Sequence, residues 1–576
     1  MKRYNPKEIE PLWQKKWADS KLYEATENPD KPKKYVLEYF PYPSGAAMHV
    51  GHVRNYTIGD AMARHARMNG FNVLHPMGWD AFGLPAENYA IKNNISPQEA
   101  IAENTAKFKR QLTQMGFSYD WSREINSSDP SYYKWTQWFF KLLYERGLAY
   151  QKESLQWWCD FDKTVLANEQ VEAGKCWRCG NPVTKKALKQ WFFKITDYAD
   201  RLAEDLDKLD WSEAIKSMQR NWIGKSKGAE IAFQVEGQKS QAESDTITVF
   251  TTRPDTIYGA TFMVLAPEHP LVQQITTEEQ KQHVNTYVKA AEAKTDVERQ
   301  ETDREKTGVF TGAYAVNPAN GEKIPVWVAD YVLYGYGTSA IMAVPAHDER
   351  DHAFAEKFNL PIVRVIKNDA KDDEFTHDPG VLMNSGEFDG QKSEEARENI
   401  VKSLADKDAG KMVTNYKIRD WLISRQRYWG APIPMIHCEK DGVVPVPDED
   451  LPVKLPKVES YAPTGEGTSV LAGVKDWVNV KCPKCGGPAK RETDTMDGFA
   501  CSSWYFLRFA DPHNDKEPFA KDKVKFWLPV DDYIGGAEHA VMHLLYARMW
   551  TKVMHDAGLI DFDEPFLALR NQGMIL

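Results

Sequence analysis

The sequence predicts an α/β protein: a doubly wound parallel sheet, interrupted by an inserted α+β domain and two small cysteine-bearing modules. Three observations predict it. Strand-like and helix-like segments alternate over residues 1–155 and return over 506–576, the grammar of a parallel sheet. Between them, residues 228–416 change to alternating strands and charged helical stretches. Two Cys-x-x-Cys pairs, Cys176/Cys179 and Cys482/Cys485, lie in stretches short of regular periodicity.

The elements follow in order. Lys34–Phe40 reads as a strand that enters a Pro/Gly turn, and Gly59–Arg67 reads as a helix. Phe71–Pro76 is a second strand, and Gly78–Glu87 a loop entering a helix. In such sheets ligands gather at the C-terminal ends of strands, where both loops fall. Residues 156–187 form the first cysteine module, and 188–227 connect back to the sheet. The insert, 228–416, opens with strands at Gly228–Val235 and Asp245–Thr251 and carries another at Ile324–Leu333. Residues 417–432 return to the first domain, and 433–505 hold the second module and its connection. Val530–Tyr546 resumes strand–helix grammar in the second, Rossmann-like half.

Composition narrows the class. The 576 residues are 42% hydrophobic and 12% aromatic, ample for several cores. No apolar run approaches the roughly 20 residues of a membrane helix, and Met1–Pro6 has no apolar signal core. A soluble, cytoplasmic protein is expected, with no membrane partner. A net charge of −10 argues against a chain-wide nucleic-acid coat. One local track, Lys417–Trp429, interleaves four cations with three aromatics, suited to phosphates and stacked bases or to a solvated amphipathic element.

The chemistry-bearing motifs begin at Phe40–His52. His49 and His52 flank Gly51 at an expected helix N-terminus, where both imidazoles face a triphosphate and Gly51 admits it to the backbone. A metal pair is the plainer alternative for His-x-x-His. The two cysteine pairs suit metal better than disulfides, with redox-active dithiols as the alternative. Cys159 and Cys438 stand upstream, each followed by an aspartate, giving ligand sets Cys159, Asp162, Cys176, Cys179 and Cys438, Asp441, Cys482, Cys485. Zn2+ in a structural role is expected at both. Cys501 reads as a small buried residue.

Phe40-Pro-Tyr-Pro-Ser-Gly, His49-Val-Gly-His and Gly78-Trp-Asp-Ala-Phe-Gly-Leu-Pro-Ala-Glu resemble the signatures of class I aminoacyl-tRNA synthetases of the branched-chain group. Gly535–Tyr546 and Asn571–Met574 resemble later parts of the same core. The likeness is closest to bacterial-type leucyl enzymes, through Thr164–Val171 and the placement of the first cysteine module before Thr251. Isoleucyl and valyl enzymes, or a non-catalytic tRNA- or amino-acid-binding relative, are the alternatives.

The resemblance implies ATP-dependent activation of leucine and its transfer to tRNA(Leu), with His49, Gly51 and His52 catalytic, ATP at His49 and His52, and Mg2+ as a cofactor. Phe40, Tyr42 and His539 would shape the side-chain pocket, and Asp80, at the pocket mouth, would pair with the ammonium. Gly536, Glu538, His543 and Met574 would hold the adenosine part. His539 and His543, four apart on an apolar helix, are otherwise buried structure or a metal pair. The insert would be a hydrolytic editing domain. Thr251, Thr252, Arg253 and Asp255 would organise the ester and terminal ribose, and Thr256 would obstruct leucine. Thr338, Val344, His347, Asp348 and Asp351 would complete that pocket, with Asp351 on the ammonium. Read without the family, Thr251–Thr256 is a strand end with an Asp-capped turn. No Ser or Cys nucleophile with a matched base stands out, so attack by an oriented water is expected.

One departure stands beside this. No Lys-Met-Ser-Lys-Ser sequence occurs in the 576 residues, and the family's anticodon-binding region has no counterpart. The expectation is weak or no leucine activation by this chain as it stands, with deacylation surviving, in a monomer or paired with a second chain.

Overall fold

The computed structural model describes residues 3–43, 45, 47–167, 170–172, 174–236, 246–292, 299, 305–334, 337–368, 378–458, 460–462, 464 and 467–573. The chain divides into two compact units: 1–223 with 418–576, and 224–417.

The first unit is organised by a parallel four-stranded sheet. Its order is Asn72–Leu74, Lys33–Glu38, Val530–Ile534, Phe566–Arg570, so the first and last segments of the chain share one sheet. Pro76–Trp79 continues in parallel against Asp120–Asn126. The Lys33–Glu38 strand is buried over its last four residues, as expected of a strand covered on both faces. From it the chain turns through Tyr39–Met48 into the Val50–Met68 helix, with His49 at its N-cap. Gly59 of this helix lies so close to the sheet that a Cβ there would sit 1.7 Å from Glu38 Oε1. Glu38 in turn meets His75 Nε2 at 3.0 and 3.1 Å, a pair fully buried beneath the helix.

Helix starts are written into the sequence. Ser96 and Glu99 cap the Pro97–Gln114 helix reciprocally, and Ala100, Ile101, Asn104, Phe108 and Leu112 form its buried stripe. Asp129 accepts from Ser131 N–H at the head of Pro130–Glu145, with proline in the first turn. Between Asp80 and the Leu84–Asn93 helix, Gly83 adopts φ +108°, which favours glycine.

Three expectations are corrected. The stretch around the first cysteine module holds a long antiparallel hairpin, Ala149–Cys159 against Thr184–Phe193, with the cysteines at its far end. Its sequence hides the strands because both faces mix cations with tryptophans: Lys185 and Lys186 lie over Trp157 and Trp158. The Lys417–Trp429 track is not a helix, and past its exposed Lys417 and Arg419 it is not a basic surface either. Arg425 and Arg427 are buried, paired with Asp497 and Glu87, and Trp421, Tyr428 and Trp429 are core residues. His539 and His543 do not share a helix: His539 ends a 3-10 turn at Ala537–His539, and His543 opens the His543–Asp556 helix.

The second unit is a curled sheet ordered Thr246–Thr251, Ser226–Val235, Gly308–Val316, Lys323–Ala329, Phe262–Leu265, Ala340–Ala343, with Gly410–Asn415 also pairing Ser226–Val235. Its end strands, Thr246–Thr251 and Ala340–Ala343, come back against one another. That closure brings the end of the Thr246–Thr251 strand beside the segment before Ala340, where a Cβ on Gly337 would stand 3.7 Å from Phe250 Cβ. Ser393–Ala405 covers the core through Ala396, Ile400, Val401 and Leu404.

Among the described residues, no helix is long and apolar enough to cross a membrane.

Candidate active site and metal centres

The first site sits where Lys33–Glu38, Pro76–Trp79 and Val530–Ile534 end. Asp80 follows Trp79 and is 1% exposed, so it forms the floor of the site and not its mouth. Its backbone N–H donates to Pro41 O, and its carboxylate is roofed by hydroxyls. Tyr39 O–H donates to Oδ2 at 2.7 Å and Ser127 Oγ to Oδ1 at 3.3 Å. Tyr39 has one hydroxyl hydrogen, spent on Asp80, so Tyr42 O–H donates to the Tyr39 oxygen at 2.7 Å. Burial pushes the Asp80 carboxyl up to about 7, against the pull of these donors.

Aromatic rings wall the same place. Phe40 stacks on Tyr505 with centroids 4.2 Å apart, and His539 stacks on Tyr39 at 4.4 Å. His543 meets Tyr39 edge-on at 4.6 Å, and neither of its ring nitrogens has a partner among the described residues. Gly536 leaves space that the Glu538 carboxylate occupies, 2.1 Å from where a Cβ would stand, and Glu538 is exposed. Met574 lies outside the described residues.

At the neighbouring helix start, the His49 and His52 rings are 3.8 Å apart. His49 N–H donates to His52 Nδ1 at 3.2 Å, which leaves the His52 proton on Nε2. Burial, and then the charge of His49, lower His52 to about 4, so it is a neutral N–H donor at pH 7. A Cβ on Gly51 would touch the His49 ring at 3.0 Å, so this glycine makes room for the imidazole.

The second cluster lies in the inserted unit. Asp348 caps the Glu349–Phe358 helix, accepting from Arg350 N–H and Asp351 N–H. Asp351 is buried and accepts from Val344 N–H at 2.9 Å and Tyr331 O–H at 3.0 Å. Burial, then the charge of Asp348, push Asp351 up to about 7. Thr251 Oγ1 accepts from Arg253 N–H, while Thr252 stays exposed. Asp255 is fully buried between Arg253, with Nη2 at 2.9 Å, and Arg397, with Nε at 3.1 Å. Buried Thr256 donates to Arg253 O, and Thr338 Oγ1 to Ala340 O. His347 Nε2 accepts from Val365 N–H, which ties that ring into the frame.

Three family models match the chain: "tRNA synthetases class I (M)" over 34–187, "Leucyl-tRNA synthetase, editing domain" over 220–405, and "tRNA synthetases class I (I, L, M and V)" over 321–572. The leucine--tRNA ligase of Thermotoga maritima is 56% identical across the whole chain, which covers 70% of that relative. The chain belongs to the leucyl-tRNA synthetase family. The Elusimicrobium minutum leucine--tRNA ligase is 54% identical over the whole chain and 68% of its own length. The LeuRS of Agrobacterium radiobacter K84, solved in a ternary complex with tRNA and LeuAMS, superposes with a TM-score of 0.86 at 42% identity, over 99% of this chain and 68% of that one. The isoleucyl and valyl alternatives give way to this leucyl membership.

Within this leucyl-tRNA synthetase chain, both cysteine quartets close into clusters whose ligand atoms all lie within 4.8 Å of one another. Cys159 Sγ is 3.4 Å from Cys179 Sγ and 3.5 Å from Asp162 Oδ2. Cys438 Sγ is 3.6 Å from Cys485 Sγ, and Cys482 Sγ is 3.2 Å from Asp441 Oδ2. A tetrahedron with metal–sulfur bonds of about 2.3 Å has sulfur–sulfur edges of about 3.8 Å, so the donor sets fit a tetrahedral ion. Matching turns build both: Gly180 N–H donates to Cys176 O and Gly486 N–H to Cys482 O, with φ +71° and +73°.

The sequence reading missed Tyr39 and Ser127 beside Asp80, and Tyr331 beside Asp351. Tyr39 had a signal: it stands between the Lys33–Glu38 strand and Phe40. Ser127 and Tyr331 carry none, because only the folded chain brings them to the carboxylates.

Proposed function

We propose that this chain carries the leucine-activating site for ATP-dependent charging of tRNA(Leu), and in its insert the site that hydrolyses mischarged tRNA. The observation that carries the first reading is Asp80, a buried carboxylate with hydroxyl donors and, among the described residues, no cation paired with it. The ammonium of leucine supplies the missing charge, and the site then ionises Asp80 on binding. Phe40, Tyr42 and His539 surround the side chain. The leucine carboxylate attacks the α-phosphorus of ATP, the new C–O–P bond forms, and the bond to the bridging oxygen breaks as pyrophosphate leaves. Neutral His52 donates through Nε2–H, with His49 beside it, to oxygens gathering charge on phosphorus. Gly536, Glu538, His543 and Met574 receive the adenosine. Mg2+ carried with ATP offsets the triphosphate charge. The tRNA terminal hydroxyl then displaces AMP.

In the insert, Asp351 holds the ammonium of the wrong amino acid, and Thr252 and Thr338 face the ester and ribose. Asp255 acts through Arg253, which it holds together with Arg397. Thr256, Val344, His347 and Asp348 frame the pocket. Water adds to the ester carbonyl and the tRNA hydroxyl leaves. Such a step is needed because one methylene gives an apolar pocket only about 1–3 kcal/mol of discrimination. Both cysteine clusters take Zn2+, with three thiolates and one carboxylate each holding their turns together. Such thiols suit the reducing cytoplasm, where we place the protein.

Calorimetric titration of the 576-residue chain with leucine, isoleucine, valine and methionine tests the assignment. Leucine should bind most tightly. Preference for isoleucine or valine, or no binding of any of the four, overturns it.

A further inference from the structure

Tyr39 joins the carboxylate of the amino-acid site to its aromatic wall. Its hydroxyl is shared between Asp80 and Tyr42, both at 2.7 Å. Its ring carries His539 on one face at 4.4 Å and receives His543 at 4.6 Å. It also packs on Phe40 and Tyr505 at 5.6 and 6.1 Å. The side chain is 7% exposed and follows directly on the Lys33–Glu38 strand, so its position is set by the sheet and not by a loose loop.

We propose that Tyr39 is a positioning residue for leucine recognition: its hydroxyl holds the Asp80 carboxylate in the orientation that meets the ammonium, and its ring holds His539 against the side-chain pocket. This rests on the reading of Asp80 as the ammonium partner. An unsupported Asp80 would rotate or keep its proton, because a buried carboxylate ionises only where donors or cations compensate it. The hydroxyls of Tyr39 and Ser127 donate to it, and the Tyr42 hydroxyl also acts on it. The Ser127 contact is the longer, and its Oγ also accepts from Ala81 N–H at 2.8 Å. Tyr39 is therefore the stronger restraint. The chain Tyr42→Tyr39→Asp80 also orders the two rings nearest the substrate. When the ammonium takes its place at Asp80, the relay keeps Tyr42 in register with the side chain it contacts.

The other titratable groups facing Asp80 come from four elements. Tyr132 and Tyr505 lie on helices, and Cys501 near the end of another, all with pKa values raised by burial. Asp497 precedes the Gly498–Ser502 helix and is held by Arg425. Tyr42 completes the set, also raised by burial. Burial keeps Tyr42, Tyr132, Tyr505 and Cys501 protonated from pH 6 to 8.5.

The test is leucine binding by calorimetry on the 576-residue chain from pH 6 to 8.5, for the parent, Tyr39→Phe and Asp80→Asn. Parent affinity should rise through about pH 7 as Asp80 ionises. Tyr39→Phe keeps the ring and loses the donor. Its curve should move to higher pH, with affinity about tenfold weaker at pH 6.5, one pKa unit being a factor of ten, and within about twofold of the parent at pH 8.5. Tyr39→Ala should weaken binding at every pH, because His539 loses its support. A Tyr39→Phe curve that coincides with the parent's, or that drops equally at all pH values, overturns the proposal while leaving Asp80 in place. Asp80→Asn binding leucine like the parent overturns the underlying reading instead.

Discussion

Arg427 donates through Nε to Glu87 Oε2 at 2.7 Å, across 340 residues of sequence, with both side chains almost sealed from solvent. The same guanidinium reaches Asp162 O at 2.6 Å and Asn88 Oδ1 at 2.9 Å. One side chain thus joins the helix after the Asp80 loop, the first cysteine cluster and the segment that returns from the insert.

Breaking this pair should be severe. Arg427→Ala leaves Glu87 buried without its cation and should cost about 3–5 kcal/mol in denaturant unfolding of the first unit. Replacing both with methionine should recover most of the loss. A single-variant cost under about 1 kcal/mol would contradict the central place given to the pair.

Gly59→Ala should also destabilise, by about 2–3 kcal/mol, because its Cβ would press on a carboxylate that His75 holds in place. Thermal melting checks this. Gly70, where a Cβ meets nothing within 4 Å, is a control for space though not for its φ of +87°.

Asp351 titrates from about 7 in the folded unit against an ordinary value of 3.8. The folded state holds this proton more tightly, so its contribution to stability is present below about pH 4 and is lost as pH rises through 7. Asp351→Asn removes that slope. The stability difference between parent and variant should change by about 2.6 kcal/mol between pH 5 and 8, read by hydrogen exchange in the sheet of the second unit. Enzymatic hydrolysis of mischarged tRNA should rise over the same interval in the parent and stay low and flat in the variant. Parallel pH profiles for the two proteins would refute the role given to Asp351.

Elemental analysis should find two zinc ions per chain. Cys176→Ser and Cys482→Ser should each remove one, since the clusters share no ligand. Trypsin should then cut near the altered cluster faster than in the parent. Loss of both ions from one substitution would show that the sites are not independent.

Much of the parallel sheet was legible, because its strands are buried on both faces and read as apolar runs ending in Pro/Gly turns. The cysteine quartets were legible through spacing. What the sequence concealed were pairings made at a distance. Arg425 and Arg427 of the Lys417–Trp429 track looked solvent-facing until Asp497 and Glu87, far away in sequence, took them inside, whereas Lys417 and Arg419 do stay exposed. Asp80 looked like a pocket-mouth residue because nothing local shows that Tyr39 and Tyr42 close over it. The His539/His543 spacing suggested one helix, but Gly535 and Gly536 break the strand exit into a short 3-10 turn first.

The shared sheet also sets an order of events during synthesis. Tyr35 N–H must wait for the Asp531 side chain, 496 residues downstream, whereas every strand of the second unit comes from 224–417 alone. At about 5–20 residues per second the ribosome needs roughly half a minute to two minutes to bridge that gap. The proofreading insert should therefore be a finished body while its host is still an open chain. Protease treatment of ribosome-bound chains stalled well past residue 417 but short of 530 should leave the insert intact and digest the flanking segment. Digestion of both would mean that the guest depends on its host to fold.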